Sequence, residues 1–345
     1  MISKKNATAV VKFYFFCNFA NEMKNEKPLV SFILTYYNLP VQMLCECINS
    51  ILALSLHPFE REIIVVDDGS DESPIKGLMQ YGDKIIYVRQ ENGGVSNARN
   101  TALNMARGEY IQIVDGDDYL IQTPYEHCLD LIRLNGDIEM VLFDFTCIPT
   151  DETDYSDSAV MTGSAYLQKH NIHGTAWGYL FKRKTLSELR FTQGIRYGED
   201  EEFTPQLLLR AETVIATNAK AYFYRNRSTS VVHQTDEEGK KTRLGDTLTI
   251  IQNLHRLADA MPSTDRLALQ RRVSQLTMDY IYNTIILTRS QHSLNECLDK
   301  LRQEELFPLP DRDYSQKYKW FRKMTNTRLG RTILLKTLPL LKKER

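Results

Sequence analysis

Four short apolar runs, each ending in a polar cluster, follow one another within about 90 residues, and this rhythm constrains the fold more than any other feature of the chain. They are Leu29–Thr35 (LVSFILT), Glu62–Val66 (EIIVV), Lys84–Val88 (KIIYV) and Tyr110–Val114 (YIQIV). Continuous β-branched runs of this length fit strands buried on both faces of a parallel sheet. The segments between them read as turns and helices. Asn38-Leu39-Pro40 precedes helical spacing over Val41–Leu54, and Gly93-Gly94 precedes a helix near Ser96–Arg107. Strand, loop and helix in alternation predict an α/β fold, a Rossmann-like αβα sandwich with a mainly parallel central sheet. Ligands of such sheets bind outside the carboxyl ends of the strands, where this chain places its polar clusters.

Further along, Trp177–Phe181, Tyr197–Leu209 and Ala221–Val232 read as strand, helix and strand, and residues 135–160 as an irregular acidic loop. From about Gly239 the pattern is helical. The expected organisation is an N-terminal extension over 1–27, an α/β domain over 28–238 and a helical C-terminal region over 239–345. With 42% apolar and 25% charged residues and a formal net charge of −1, the 345-residue chain fits a globular protein with a sizeable core and no nucleic-acid partner. The six cysteines are scattered without zinc spacing and read as thiols of a reducing compartment. Thr8–Ala20 faintly resembles a secretory signal, but Lys12 and Asn18 interrupt it, and the reading favours no export, with Met23 as an alternative start.

Three carboxylates, Asp115, Asp117 and Asp118, stand within four residues at the end of a buried strand. They repel one another unless a cation neutralises them, and magnesium or manganese commonly uses one or two carboxylates plus substrate phosphates. An acidic turn or a helix cap at Asp118 is the simpler alternative. Asp67-Asp68-Gly69-Ser70 can bond a nucleobase or ribose, or close an Asx turn. In Glu91–Asn100 a glycine turn opens a helix, so exposed amides and Arg99 can face a diphosphate. Gly198 is followed by Glu199, Asp200, Glu201 and Glu202; helix-dipole compensation accounts for one or two of these acids, and a general base for another.

Taken together, VSFILTYYN (Val30–Asn38), IIVVDDGS (Ile63–Ser70), QENGGVSNARN (Gln90–Asn100), DGDD (Asp115–Asp118), Trp177 and GED (Gly198–Asp200) resemble the family 2 inverting glycosyltransferases in order and spacing, over about residues 28–232. The resemblance implies a GT-A fold, a nucleotide-sugar donor and a divalent metal, manganese or magnesium. It makes Thr35, Tyr37, Asn38, Asp67 and Asp68 the nucleoside side of the donor site. Gly94, Arg99, Arg225, Arg227 and Ser228 take the diphosphate side. Asp115 and Asp117 match the metal-and-ribose pair, with Asp118 beside them and Asp117 as the direct ligand. Asp200 resembles the catalytic base, Glu199 its neighbour positioning the acceptor, and Trp177 an acceptor platform, with a core tryptophan as alternative. His233 reads as an ordinary loop histidine, with a reach to the metal as the alternative.

The chain departs from the family pattern at Thr35, where a proline is usual, and at Gly178-Tyr179, where Asn-Lys is common. A Q-x-x-R-W motif is absent, which implies a single-addition enzyme. The expected acceptor is a saccharide or lipid-linked saccharide of cell-surface polysaccharide synthesis. A sugar nucleotidyltransferase is the first alternative, although it normally carries a glycine-rich basic loop where Tyr36–Pro40 stands. A non-catalytic nucleotide-sugar-binding protein is the second. From Lys317 onward the chain is basic, with Glu344 its single acid. That tail reads either as a segment lying on an anionic membrane or as a solvated terminal helix. The expected location is the cytoplasm, peripheral to the inner face of the plasma membrane in the first case.

Overall fold

A computed structural model describes residues 11–12, 27–150, 152–227, 237–312 and 314–341. Ser228, His233 and most of the N-terminal extension lie outside the described residues. The chain divides into two compact units, one within Met1–Tyr166, His173–Ile195 and Gln206–Ser228, the other within Leu167–Ile172, Arg196–Pro205 and Thr229–Arg345.

The first unit is built on one sheet. Its strands are β1 (Val11–Lys12), β2 (Val30–Tyr36), β3 (Arg61–Asp67), β4 (Ile86–Arg89), β5 (Tyr110–Asp115), β6 (Tyr119–Leu120), β7 (Met140–Thr146), β8 (Tyr179–Lys182) and β9 (Val214–Phe223), in the order β1-β4-β3-β2-β5-β8-β7-β9-β6. β4, β3, β2 and β5 are mutually parallel. β8 runs antiparallel to both β5 and β7, and β9 runs parallel to β7. Six strands therefore point one way, and β8 inside the sheet, with the two-residue strands β1 and β6 at its edges, runs against them. Around it lie α1 (Val41–Leu52), α2 (Ile75–Leu78), α3 (Val95–Met105), α4 (Gln122–Leu134) and α6 (Arg183–Leu186); α5 (Gly163–Lys169) and α7 (Glu199–Leu209) each have residues in both units.

Every residue of β2 except Thr35 is buried, as its continuous apolar run requires. Phe32 and Leu34 share a core with Leu44, Cys47, Ile48 and Ile51, the buried stripe of α1. The register puts Thr35 opposite Asp115, Tyr36 opposite Asp67, and Asp67 opposite Arg89. Three carboxyl ends are thus level, and their loops leave the sheet side by side.

The opposite end is tied by one carboxylate. Glu62, 5% exposed, accepts from Ser31 Oγ at 2.6 Å, Arg107 N at 2.9 Å and Arg107 Nε at 2.8 Å. The amide of Gly108 donates in turn to Ser31 Oγ at 2.8 Å, and a Cβ at Gly108 would stand 2.5 Å from the Ser31 nitrogen.

Two readings of the sequence are corrected. Residues 135–160 are not irregular throughout, because Met140–Thr146 (MVLFDFT) is β7. Its flanking acids mask an apolar run when charge is counted over the whole stretch. The strand expected at Ala221–Val232 begins at Val214 and ends at Phe223, since the polar Thr217, Asn218 and Lys220 interrupt the apolar pattern of its first half.

The second unit is helical, with α8 (Glu237–Asp259), α9 (Ser263–Thr288), α10 (Gln291–Gln303), α11 (Gln316–Thr325) and α12 (Arg328–Leu341). α9 is its axis: α8, α10, α11 and α12 all pack on it, and it buries residues on nearly every side from Ala268 to Ile286. No helix among the described residues is long and apolar enough to cross a membrane.

Replacing Glu62 by Ala strands the Ser31 hydroxyl and the Arg107 amide and is expected to cost about 2 kcal/mol. Urea unfolding should show a lower midpoint with an unchanged slope.

Candidate active site

The turn after β5 brings together most of the expected polar groups. Gly116 is required there, because a Cβ would stand 2.5 Å from the Thr35 carbonyl oxygen, which accepts the Gly116 amide at 3.1 Å. The three carboxylates on this turn have different surroundings. Asp115 faces Arg99, whose Nη2 lies 2.9 Å from Oδ1; the arginine side chain is 3% exposed and the aspartate 26%. Asp117 pairs with Arg227 at 2.6 Å, both about one-fifth exposed. Burial raises the Asp117 carboxyl above its ordinary pKa, the charge of Asp115 raises it further, and Arg227 works against both.

Asp118 is different. It is 1% exposed, with Oδ2 accepting from Tyr222 Oη at 2.9 Å and Oδ1 from the Arg225 amide at 2.8 Å. Burial, then the charge of Asp115, pushes its pKa up to about 8. Each oxygen accepts one protein donor, so Asp118 fixes the start of the 225–227 segment and is the least exposed of the three acids expected to hold a metal. Asp115 and Asp117 remain as carboxylates open to a ligand. Among the described residues, no group of three His, Cys, Asp or Glu side chains is arranged to hold a metal ion.

At the end of β3 both aspartates are turned inward. Asp67 is fully buried and accepts from Ser70 N at 2.9 Å and Tyr87 Oη at 2.8 Å, with Arg89 Nη1 at 3.3 Å. It closes the Asx turn, the alternative that the sequence left open beside donor binding. Asp68, 4% exposed, accepts from Gln90 Nε2 at 2.7 Å, Gly93 N at 3.0 Å and Gly94 N at 2.8 Å. Burial raises its carboxyl and these three bonds oppose the rise. Gly94, at φ 85°, is the N-cap of α3, so Asp68 positions the glycine turn from which that helix starts. Gly69, at φ 73°, lies so close to this turn that a Cβ would stand 2.6 Å from the Asn92 nitrogen.

Asn38 ties the loops after β2 and β3 together: its amide donates to Ser70 Oγ at 2.9 Å, its side-chain amide to Asp71 Oδ2 at 3.1 Å, and it accepts the Asp71 amide at 2.9 Å. Thr35 is half-buried beside it, while Tyr37 is 49% exposed and presents an open ring. Arg225 pairs with Glu46 of α1 and lies 5.1 Å above the Tyr119 ring. Trp177, expected as an acceptor platform, is 5% exposed and stacks on Tyr222 with ring centroids 4.2 Å apart. The core alternative describes it: it is packing beneath the residue that holds Asp118.

In the second unit, Gly198, at φ 80°, precedes the four acids of the first turn of α7. Asp246 Oδ2 accepts the amides of Arg196 and Tyr197 at 2.9 and 3.0 Å. Glu201 pairs with the buried Arg272, and Glu202 accepts from Asn253 at 2.9 Å. Glu201 and Glu202 thus have structural partners on α9 and α8. Glu199 is buried and Asp200 half-buried at the start of the helix.

Sequence reading missed Tyr222, Gln90 and Tyr87, the groups that orient Asp118, Asp68 and Asp67. An apolar strand offers no local sign that one of its tyrosines will donate to a carboxylate 104 residues earlier. Gln90 sits inside a quoted motif and is the one that spacing could have flagged.

A family model described as Glycosyl transferase family 2 matches residues 31–190. The chain is 31% identical over 220 residues to the uncharacterized glycosyltransferase EpsJ of Bacillus subtilis (strain 168), covering 59% of this chain and 63% of that one, just under two thirds of the relative's length. S. aureus TarS 1-349 in complex with UDP-GlcNAc is similar at a TM-score of 0.52 and 20% identity, covering 79% of this chain and 87% of that one. Mannosyltransferase PcManGT from Pyrobaculum calidifontis, in complex with GDP-Man and Mn2+, is similar at 0.53 and 15%, covering 92% and 89%. These likenesses show the fold, GT-A with a helical C-terminal region.

Burial pushes the Asp118 carboxyl up to about 8, above the ~3.9 of an unfolded aspartate. Between those values unfolding releases a proton, so rising pH is expected to lower stability, and Asp118→Asn to flatten that slope. Urea midpoints from mildly acidic to mildly alkaline pH, with chelator present, measure it. Tyr222→Phe is expected to cost about 1–3 kcal/mol, because it leaves the Asp115 amide and Asp118 without their shared partner.

Proposed function

We propose that this chain, whose residues 31–190 match the Glycosyl transferase family 2 model, moves a sugar from a nucleoside diphosphate donor, a UDP-sugar first, to a saccharide or lipid-linked saccharide acceptor. The reaction is a metal-dependent displacement that inverts the anomeric centre, and its place is the cytoplasmic face of the plasma membrane, in cell-surface polysaccharide synthesis.

The observation that carries the reading is the pair of part-exposed carboxylates, Asp115 and Asp117, each against an arginine at the carboxyl end of the parallel strands. Hard oxygen ligands of this number suit magnesium or manganese when substrate phosphates supply the rest. Arg227 stands on Asp117 as a counter-cation, against the burial and the Asp115 charge that raise the Asp117 carboxyl. Asp115 and Asp117 would hold the metal, which when bound offsets charge on the departing diphosphate. The donor-bound TarS and the GDP-Man and Mn2+ complex of PcManGT support the donor class and the metal.

In the proposed reaction Tyr37 offers its exposed ring to the base. Arg99, held against Asp115, and Arg227 face the diphosphate and stabilise its growing charge. Asp200 takes the acceptor hydroxyl proton as that oxygen bonds the anomeric carbon and the bond from that carbon to the phosphate oxygen breaks. Glu199 orients the acceptor beside it, and the nucleoside diphosphate leaves with the bonding pair.

Release of UDP from a panel of UDP-sugars, with manganese and with chelator, tests the reading; release that ignores the metal overturns the metal assignment. Asp117→Ala is expected to abolish manganese-dependent donor binding in calorimetry. Asp200→Asn is expected to keep donor affinity while turnover falls by roughly 10²-fold, and near-normal turnover removes Asp200 from the role.

A further inference from the structure

The α11 and α12 helices carry a surface that the donor chemistry does not use. From Gln316 to Leu341 the chain has Lys317, Lys319, Arg322, Lys323, Arg328, Arg331 and Lys336 and no acidic residue. Arg322 is paired with Asp311, and Arg331 donates to the Thr325 carbonyl at 2.8 Å. Lys317, Lys323, Arg328 and Lys336 are exposed.

Apolar side chains stand out among these cations. On α12, Leu329 is 73% exposed, Ile333 41% and Leu340 66%, while Leu334 is fully buried. Leu329, Ile333, Lys336 and Leu340 follow the i, i+4, i+7, i+11 spacing of one helix face. On α11, Trp320 is 51% exposed, with Lys317 and Lys323 three residues to either side of it. Both helices pack on α9, so each has one side committed to the unit and another left open.

We propose that this surface docks on the anionic face of a lipid bilayer, with α12 lying in the headgroup plane on its Leu329–Ile333–Leu340 stripe. Charge complementarity selects the occupant. Basic residues whose aliphatic stems border an apolar stripe reach phosphate headgroups while the stripe enters the acyl boundary. An exposed tryptophan between lysines suits the same interface. A second copy of the chain would bring cations against cations, and a nucleic acid has no use for the apolar stripe. A helix of 14 residues is about 21 Å long, too short to span. This deepens the membrane placement proposed above and is independent of the donor and base assignments.

The test uses the full chain with vesicles of phosphatidylcholine, with and without phosphatidylglycerol. Co-sedimentation is expected only with phosphatidylglycerol, weakening as salt is raised. Trp320 emission should shift to the blue on binding, because the other tryptophan, Trp177, is already 5% exposed. The combined variant Leu329→Ser, Ile333→Ser and Leu340→Ser, at exposed positions, is expected to melt like the parent and to lose roughly 10-fold or more in vesicle partitioning. Its UDP release in vesicle-free solution should match the parent's, so failure of the donor chemistry and failure of docking are read separately. Absence of co-sedimentation overturns the proposal, as does full binding by the variant. Lipid-free self-association that the variant loses assigns the surface to a second copy instead.

Discussion

Negative charge gathered at the carboxyl ends of parallel strands is the constraint on which the rest of the first unit depends. The register that aligns Thr35 with Asp115 and Tyr36 with Asp67 brings five aspartates, Asp67, Asp68, Asp115, Asp117 and Asp118, onto neighbouring loops. Each must find donors or be neutralised, since a buried carboxylate without a partner is costly. The fold answers with different devices at different depths. Backbone amides, hydroxyls and the Gln90 side chain hold the buried Asp67, Asp68 and Asp118, with Arg89 also beside Asp67, and arginines hold the part-exposed Asp115 and Asp117. Depth therefore separates the acids that are enclosed by protein donors from the two that keep a face toward solvent.

That sorting explains which parts of the site were legible in the sequence. β2, β3 and β5 announce themselves because strands covered on both faces must be apolar throughout, and the acids at their ends follow by position. Arg99 could be named from its place in the first turns of α3, but its pairing with Asp115 could not. The roles of Asp67 and Asp118 were not, because a carboxylate reads the same in sequence whether it points to solvent or to the core. What decides is Tyr87 for one and Tyr222 for the other, and both arrive on strands whose own patterns speak only of packing. Trp177 went the same way: an aromatic beside a strand can be platform or filling, and the stacked Tyr222 makes it filling.

The second unit shows a related economy. The turn that begins α7 is acidic beyond what a helix dipole needs, and α8 and α9 take up the excess through Asn253 and Arg272, while Asp246 caps the two amides ahead of it. The segment Arg196–Pro205 groups with the C-terminal helices, although it lies within the stretch that strand-and-helix alternation assigns to the α/β domain. A boundary drawn from sequence periodicity follows the chain, whereas these ties join residues about 50 to 70 positions apart.

The inward-facing Asp68 has one more consequence. Its Oδ1 accepts both Gln90 and the Gly93 amide, and its Oδ2 holds the Gly94 amide at the head of α3. Any ligand group that bonded this carboxylate, as a donor's base would in the proposed reaction, would compete with the turn for the same lone pairs. Binding at Asp68 and the posture of the glycine loop would then be linked in the thermodynamic sense, and the free energy one draws from Asp68 would be reflected in the other with equal size.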